Sequence, residues 1–192
     1  IIEDAVALEW EFLGHNQSNT RRLIQIPPET EAQVIHDSLA RVTEATGRRP
    51  TGWLGSGMQQ TWNTLDFLVE EGLDYVCDWI NDDQPYLMDI GGKQLVSMPY
   101  SREINDLPTM FWENRSVDEY ENSVRRAFNT LYREGAQSGR VMAIPLHPYV
   151  IGMSHRIWAL ESVLDYIQGH DRVWFATGEQ IVNHYLKSGA TF

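Results

Sequence analysis

Apolar residues along the chain follow two spacings, one typical of helices and one typical of short strands. Ile35, Leu39 and Val42 succeed one another at intervals of four and three residues, which is the spacing of one helix face. Ser116, followed by Glu119 three residues later, is a capping box and marks the start of another helix. These patterns predict helices over residues 28–47, 59–71, 116–136, 154–167 and 179–186.

Short apolar runs between these helices predict strands, two of which flank Gly91 and Gly92 as a hairpin. Strands that alternate with helices indicate parallel βαβ units. We therefore expect an α/β fold, specifically a (β/α) barrel or a variant of it. A doubly wound open sheet is the alternative, but no Gly-x-Gly-x-x-Gly motif follows a strand. The predicted strands are residues 10–14, 51–55, 73–77, 86–90, 94–98, 140–146 and 173–176.

The charge balance narrows the classes of function. Asp and Glu number 27 against 15 Lys and Arg, which gives a net charge of −12 over 192 residues. That charge argues against binding to nucleic acid or to an anionic membrane surface, because both need a positive face. No apolar run approaches the roughly 20 residues of a membrane helix. Cys77 is the only cysteine, so an internal disulfide is excluded and a reducing compartment, the cytoplasm, is expected.

Polar side chains accompany four of the predicted strands. His15, Asp78 and His147 each come directly after an apolar run, and Trp53 lies within another. In a (β/α) barrel the carboxyl ends of the strands form one rim, where the loops build the active site. We therefore expect these four residues to lie on that rim.

His147 is the leading candidate for acid–base chemistry. Pro148 follows it and keeps it out of helical geometry, and an imidazole can give or take a proton near neutral pH. Arg49 precedes the strand that contains Trp53, and an arginine in such a place can orient a carboxylate. Tyr149 and Trp53 are candidates for a pocket wall. The alternatives are a buried histidine bonded to a carbonyl group, a surface arginine and aromatic core residues.

Two polar loops supply the remaining candidates. His15 and Asn19 are four residues apart, which places both on one face of a helical turn, and they suit a role as ligands. A polar loop rich in side-chain caps is the alternative there. Asn81 and Asp82 belong to a second loop, which either contacts a substrate or forms a turn before Pro85.

Five segments match, in chain order, motifs that occur together in one family of hydrolases. Residues 10–15 (WEFLGH) resemble the strand and first histidine of its metal motif, and residues 48–53 (RRPTGW) resemble its Arg-Pro motif. Residues 146–149 (LHPY) resemble its final catalytic motif, and residues 171–174 (DRVW) the strand that follows. Residues 68–86 are similar to one branch in particular. The family is the polysaccharide deacetylase superfamily (carbohydrate esterase family 4), and the branch is that of the deacetylase-type allantoinases and related cyclic-amide hydrolases.

The resemblance implies that residues 1–192 form a single catalytic domain, a distorted (β/α) barrel that lacks its first strand or strands. It implies that a first-strand aspartate activates water, that His147 protonates the departing nitrogen and that Arg49 orients the aspartate. His15 and Asn19 would hold a divalent metal ion of the zinc type, or water or substrate. Asn19 stands where the motif has its second histidine, and an amide oxygen is a poorer zinc ligand. The residues expected to bind substrate are Trp53, Asp78, Asn81, Asp82 and Tyr149.

The aspartate pair of the family does not occur before His15. Because the first eight residues resemble the end of a helix, we expect an N-terminal companion segment to supply the catalytic aspartate, and we expect a homo-oligomer. The implied substrate is a small linear or cyclic amide, such as allantoin, another ureide or an imide. The alternatives are an N-acetylated amino-sugar polymer (chitin or peptidoglycan) and a non-catalytic binding module of the same fold.

Overall fold

The computed structural model describes residues 1–189, and the chain divides into two compact units. Unit 1 comprises residues 1–79, 85–98 and the chain from residue 176 onward. Unit 2 comprises residues 80–84 and 99–175. No helix among the described residues is long and apolar enough to cross a membrane.

Unit 1 is built on a four-stranded mixed sheet. β1 (Gly52–Trp53), β2 (Tyr75–Val76) and β4 (Lys93–Ser97) are parallel, and β3 (Tyr86–Ile90) pairs antiparallel with β4. The order across the sheet is β1-β2-β4-β3, and Gly14 adds an isolated parallel bridge to β1. The predicted hairpin and the α/β class are therefore confirmed.

The helices of unit 1 lie before, between and after its strands along the chain. Where each helix begins or ends depends on nearby residues and their hydrogen bonds. The helix predicted over residues 28–47 is confirmed, and it ends at Gly47, whose left-handed φ of 74° suits glycine. The helix predicted over residues 59–71 begins only at Thr64, because the Thr64 hydroxyl accepts the N–H of Thr61 at 2.8 Å and holds the preceding residues in a turn. The helices are α1 (Ile2–Ala7), α2 (Glu31–Thr46), α3 (Thr64–Glu70) and α6 (Gly178–Ser188), with 3-10 turns at Leu23–Gln25, Pro28–Thr30 and Ser56–Met58.

The core of unit 1 lies between α2, α3 and the sheet. Trp53 is fully buried in it, and Gly14 packs directly against the indole ring. A Cβ atom on Gly14 would lie 2.4 Å from the ring and 2.8 Å from Leu39. The buried apolar residues of this core are Leu23, Ile26, Ile35, Leu39, Trp53, Leu68, Leu73, Val76 and Leu95.

Substituting Gly14→Ala is expected to lower the free energy of unfolding by about 1–3 kcal/mol, the usual cost of overpacking a core. The two shortest contacts are with the fixed indole of Trp53, so movement of the Leu39 side chain alone cannot relieve the strain. Urea titration monitored by circular dichroism measures the change. Gly139→Ala is the control, since a Cβ there meets nothing within 4 Å. Equal midpoints for the two variants would contradict the packing argument.

Unit 2 is built on two helices, α4 (Val117–Glu134) and α5 (Ile157–Gln168), preceded by a short π-helix at Pro108–Trp112. The predicted capping box is confirmed: the Ser116 hydroxyl accepts the Glu119 N–H at 3.3 Å, and the Glu119 carboxylate accepts the Ser116 N–H at 2.7 Å. The buried apolar residues of this unit are Ile104, Met110, Tyr120, Val124, Phe128, Val150, Ile151, Val163 and Ile167.

Three of the predicted strands are absent or reduced to a single bridge, and those over residues 51–55 and 73–77 shorten to two residues each. Residues 140–146 and 173–176 form no strand, so these two predictions are wrong; of residues 10–14, only Gly14 pairs with a strand. An apolar run becomes a strand only when a neighbouring strand accepts its backbone hydrogen bonds. In the first segment the Val141 N–H instead bonds to the Asp83 carbonyl at 2.9 Å, and Pro145 has no N–H to donate.

Candidate functional site

His147 and Asp106 form a hydrogen-bonded pair in unit 2. Asp106 Oδ1 lies 2.6 Å from His147 Nδ1, and Asp106 Oδ2 accepts the backbone N–H of His147 at 2.7 Å. The carboxylate is fully buried, whereas the His147 side chain is 28% exposed. A carboxylate that takes the Nδ1 hydrogen sets the tautomer and orientation of the ring. Nε2 is thereby left for proton transfer.

Short turns on both sides hold this pair in place. The His147 carbonyl accepts the N–H groups of Val150 at 2.8 Å and Ile151 at 3.1 Å, which closes a turn after the histidine. Asp106 donates its own N–H to the Pro145 carbonyl at 3.2 Å. Burial, together with the negative charge of Asp106, raises the pKa of Tyr120. The carboxylate is thus fixed by backbone contacts and has little freedom to reorient.

The other predicted residues of unit 2 lie on its surface. Tyr149 is 63% exposed, and its ring meets the His147 ring edge-on with centroids 5.4 Å apart. Asn81 and Asp82 are exposed, and Asp82 Oδ1 accepts the Gln84 N–H at 2.9 Å, the bond of a turn. The structure therefore places Tyr149 beside His147, and substrate contact by the other two stays a prediction.

In unit 1 a second polar cluster surrounds residues 54–56, directly after β1. The Gly55 N–H donates to Asp78 Oδ1 at 2.6 Å, and the Ser56 hydroxyl donates to Asn19 Oδ1 at 2.9 Å. His15 Nδ1 contacts the Leu54 carbonyl oxygen. The structure thus brings together three predicted residues, His15, Asn19 and Asp78, at the carboxyl end of one strand.

Asp78 is the electrostatically unusual member of this cluster. Only 7% of the residue is exposed, and burial raises its pKa to about 7 although the Gly55 N–H acts in the opposite direction. Its Oδ2 is buried and has no hydrogen-bond partner among the residues that the structure describes. Carboxyl groups with such a raised pKa are concentrated at functional sites.

The side chains around His15 and Asn19 are the donors available to the metal site that the resemblance implies. His15 Nδ1 contacts the Leu54 carbonyl oxygen and leaves Nε2 open to a ligand, whereas the Asn19 oxygen already accepts the Ser56 hydroxyl. Across the described residues, no group of three His, Cys, Asp or Glu side chains could hold a metal ion. The described residues around His15 and Asn19 therefore supply too few donors for a zinc-type site by themselves.

Arg49 and Trp53 take other positions in unit 1. Arg49 precedes β1, whereas residues 54–56 follow it, and the guanidinium donates to the Glu71 carboxylate at 2.6 Å and to the Glu71 carbonyl at 2.8 Å. Burial works to raise the pKa of Glu71, but hydrogen bonds from Arg49 and His36 outweigh it and lower that pKa. Trp53 is fully buried. A role for Arg49 in orienting a catalytic aspartate stays a prediction.

Asp106 and Asn16 belong to these clusters but were not predicted from the sequence. Asp106 lies in the mixed polar and apolar stretch of residues 101–108 (SREINDLP), which carries no distinctive signal for a buried carboxylate. Asn16 follows His15 directly, and its Oδ1 accepts the Ser56 N–H at 3.3 Å. Its left-handed φ of 58° has no signal in the sequence beyond the tolerance of asparagine for that region.

The proteins to which this chain is similar include polysaccharide deacetylases and an allantoinase. No family model matches the chain. Over 173 residues the chain is 30% identical to a protein of Schizosaccharomyces pombe provisionally named a polysaccharide deacetylase, covering 81% of this chain and 54% of that protein. The crystal structure of a probable polysaccharide deacetylase from Pseudomonas aeruginosa PAO1 matches with a TM-score of 0.89 and 30% identity, covering 98% of this chain and 63% of that chain. The crystal structure of Puue allantoinase matches with a TM-score of 0.89, 29% identity and the same two coverages.

These matches identify the fold of the chain and show how much of each relative's length it spans. The TM-scores of 0.89 confirm the predicted class, the α/β fold of the deacetylase barrels. The chain spans about half the length of the yeast relative and less than two thirds of either solved chain.

Proposed function

We propose that this chain, a member of the polysaccharide deacetylase superfamily with an allantoinase among its structural neighbours, is a hydrolase of C–N bonds other than peptide bonds. The observation that carries the proposal is the pair formed by His147 and buried Asp106, with Nδ1 and Oδ1 2.6 Å apart. A histidine oriented by a carboxylate is suited to hand a proton to a leaving group.

In the proposed reaction, water adds to the amide carbonyl carbon and a general base takes one of its protons. The C–N bond of the tetrahedral intermediate then breaks. The departing nitrogen takes the proton on Nε2 of His147, and the products are a carboxylic acid and an amine. The Asp106 carboxylate stabilises the protonated His147 ring until the ring transfers its proton. Positioned proton donation of this kind contributes about 10²–10⁴-fold in rate.

For the general base we retain the aspartate that the resemblance implies, supplied by polypeptide outside these 192 residues. The coverage of 54% of the yeast relative is consistent with such a segment. A companion fragment detected by mass spectrometry of the purified active protein would support this source, as would activity restored by adding one. We also retain the proposal of a homo-oligomer, which sedimentation analysis measures directly.

We place a small linear or cyclic amide first among the substrates. The similarity of residues 68–86 to the allantoinase-like branch supports this choice, as does the likeness to Puue allantoinase. An N-acetylated amino-sugar polymer is the second candidate, which the names of the yeast and Pseudomonas proteins favour.

A substrate comparison tests the proposal. We expect the protein together with the proposed companion segment to open the ring of hydantoin, succinimide or allantoin, detected as a newly formed carboxylate, faster than it releases acetate from acetylated chitooligosaccharides. The reverse preference would favour the second candidate. Binding of these compounds without turnover of any of them would contradict the proposed hydrolase activity. It would favour the alternative of a non-catalytic binding module.

A further inference from the structure

In unit 2 the turn after His147 is held by a side chain that the proposed reaction does not use. Arg156 Nη1 donates to the Val150 carbonyl oxygen at 3.2 Å. Val150 is also the residue whose N–H closes the turn onto the His147 carbonyl oxygen, at 2.8 Å. Because Val150 is fully buried, its carbonyl oxygen has no access to water that could replace the guanidinium. The two hydrogen bonds of Val150 therefore connect Arg156 to the backbone of His147.

The same guanidinium contacts the chain segment that carries Asp106. Arg156 Cζ lies 5.3 Å from the centroid of the Phe111 ring, which is within the range of a cation–π contact. Phe111 belongs to the π-helix Pro108–Trp112, which begins two residues after Asp106. The buried Thr109 hydroxyl donates to the Asp106 carbonyl oxygen at 3.1 Å and fixes the start of that helix. Arg156 therefore joins this segment to the turn.

The pair formed by His147 and Asp106 depends on how these two segments are placed. One carboxylate holds two groups of the same residue, the backbone N–H of His147 at 2.7 Å and its ring Nδ1 at 2.6 Å. Both bonds can form together only while the backbone of His147 keeps its position relative to Asp106. Misplacement of a reacting group by about 1 Å can cost about 10²-fold in rate.

We propose that Arg156 is a positioning residue. It holds the turn of residues 147–151 against the segment of residues 106–111, so that the His147 ring stays bonded to Asp106 and Nε2 keeps a fixed direction. This inference rests on the proposed function, because it specifies what orients the proton donor of that reaction.

Positioning differs in its kinetic effect from two other roles that an arginine could have here. A guanidinium that binds substrate equally well before and during the reaction changes KM and leaves kcat as it was. A guanidinium that only stabilises the fold changes the free energy of unfolding and neither kinetic constant. A positioning residue changes kcat at nearly constant KM, because its loss affects the proton transfer and not the binding of substrate.

Steady-state kinetics of Arg156→Ala, in the protein with its proposed companion segment, measure this effect. We expect kcat to fall by about 10–10²-fold and KM to change by less than about twofold. Free guanidinium ion at millimolar concentration should restore part of kcat, because it can occupy the space between the Phe111 ring and the Val150 carbonyl. Ammonium ion lacks the planar fork of donors and should not restore it.

Arg172→Ala is the matched control. Its guanidinium also lies over an aromatic ring of unit 2, with Cζ 5.6 Å from the centroid of Tyr132, but that ring belongs to α4 and to neither of the two segments. We expect this variant to keep the kcat of the wild type. Arg156→Lys keeps the charge and loses the planar fork, so it serves the same tests if Arg156→Ala does not fold.

Nuclear magnetic resonance of the chain by itself tests the positioning without any turnover. A ring N–H that donates to a carboxylate gives a proton signal far downfield, and the signal of His147 Nδ1 is identified by its absence in His147→Ala. We expect Arg156→Ala to broaden or remove this signal, because the ring loses its fixed place beside Asp106. Arg172→Ala should leave it unchanged. Near-ultraviolet circular dichroism on the same samples shows whether each variant is folded.

The outcomes separate this inference from the proposed function. A lower kcat at constant KM that guanidinium ion partly restores, together with loss of the His147 Nδ1 signal, supports the positioning role. Unchanged kcat overturns it, and so does a raised KM with kcat unchanged. A retained Nδ1 signal in folded Arg156→Ala also overturns it, even if the wild type hydrolyses amides. Absence of hydrolysis by the wild type counts against the proposed function alone, and the resonance experiment then decides the positioning role.

Discussion

In the protein with its proposed companion segment, His147→Ala lowers kcat for amide hydrolysis by about 10²–10⁴-fold, the contribution expected of a positioned proton donor. KM changes little, because the lost interaction acts when the C–N bond breaks and not when substrate binds. The fold is retained, since the backbone N–H at position 147 still donates to Asp106 Oδ2. Steady-state kinetics on the preferred substrate, with circular dichroism on the same samples, measures both effects.

A second substitution separates proton transfer from packing. His147→Asn carries an amide N–H where the ring has Nδ1, so it can still donate to Asp106 Oδ1, but it has no group in place of Nε2. We expect the same fall in kcat as for His147→Ala with a smaller loss of stability. His155→Asn, at an exposed position of unit 2, is the control and should leave kcat unchanged. Near-normal turnover by His147→Asn would refute the assignment of the proton donor.

Asp78→Asn changes how the stability of the protein depends on pH. Burial raises the pKa of Asp78 from an ordinary value of 3.8 to about 7 in the folded state. Its protonated form therefore stabilises the fold at low pH, and that contribution is lost as the pH rises from about 4 through about 7. Each pH unit in this interval contributes about 1.4 kcal/mol, so the whole effect is on the order of 4 kcal/mol. The variant has no such titration.

Urea unfolding at a series of pH values measures this difference. Relative to wild type, Asp78→Asn should gain stability steadily between pH 4 and pH 7 and hold that gain above pH 8. Asp66→Asn removes an equal charge at an exposed position and should show no such trend. Parallel curves for wild type and Asp78→Asn would mean that the carboxyl group is well solvated in the folded protein.

Helix ends and turns were predictable from the sequence where a few neighbouring residues specify them. The capping box at Ser116, the stop at Gly47 and the hairpin around Gly91 and Gly92 each depend on a few neighbouring residues, and the structure confirms all three. The strand predicted over residues 140–146 failed, because an apolar run does not reveal whether another strand will pair with it.

The candidate site was predictable only in part, for a similar reason. His147 was identified from its place after an apolar run and before Pro148, yet its partner Asp106 lies 41 positions away along the chain. Asp78 was selected for its place after a strand, but its raised pKa depends on burial, which is a property of the packed unit.

The amino-acid sequence by itself determined the α/β class, the main helices and the imidazole at position 147, because spacing, caps and short motifs act over a few residues. Only the tertiary structure decided which atoms those residues meet: Asp106 for His147, Gly55 for Asp78 and Glu71 for Arg49. Hydrogen bonding and desolvation between distant positions set the chemistry of each group, and neither is encoded in the distance along the chain.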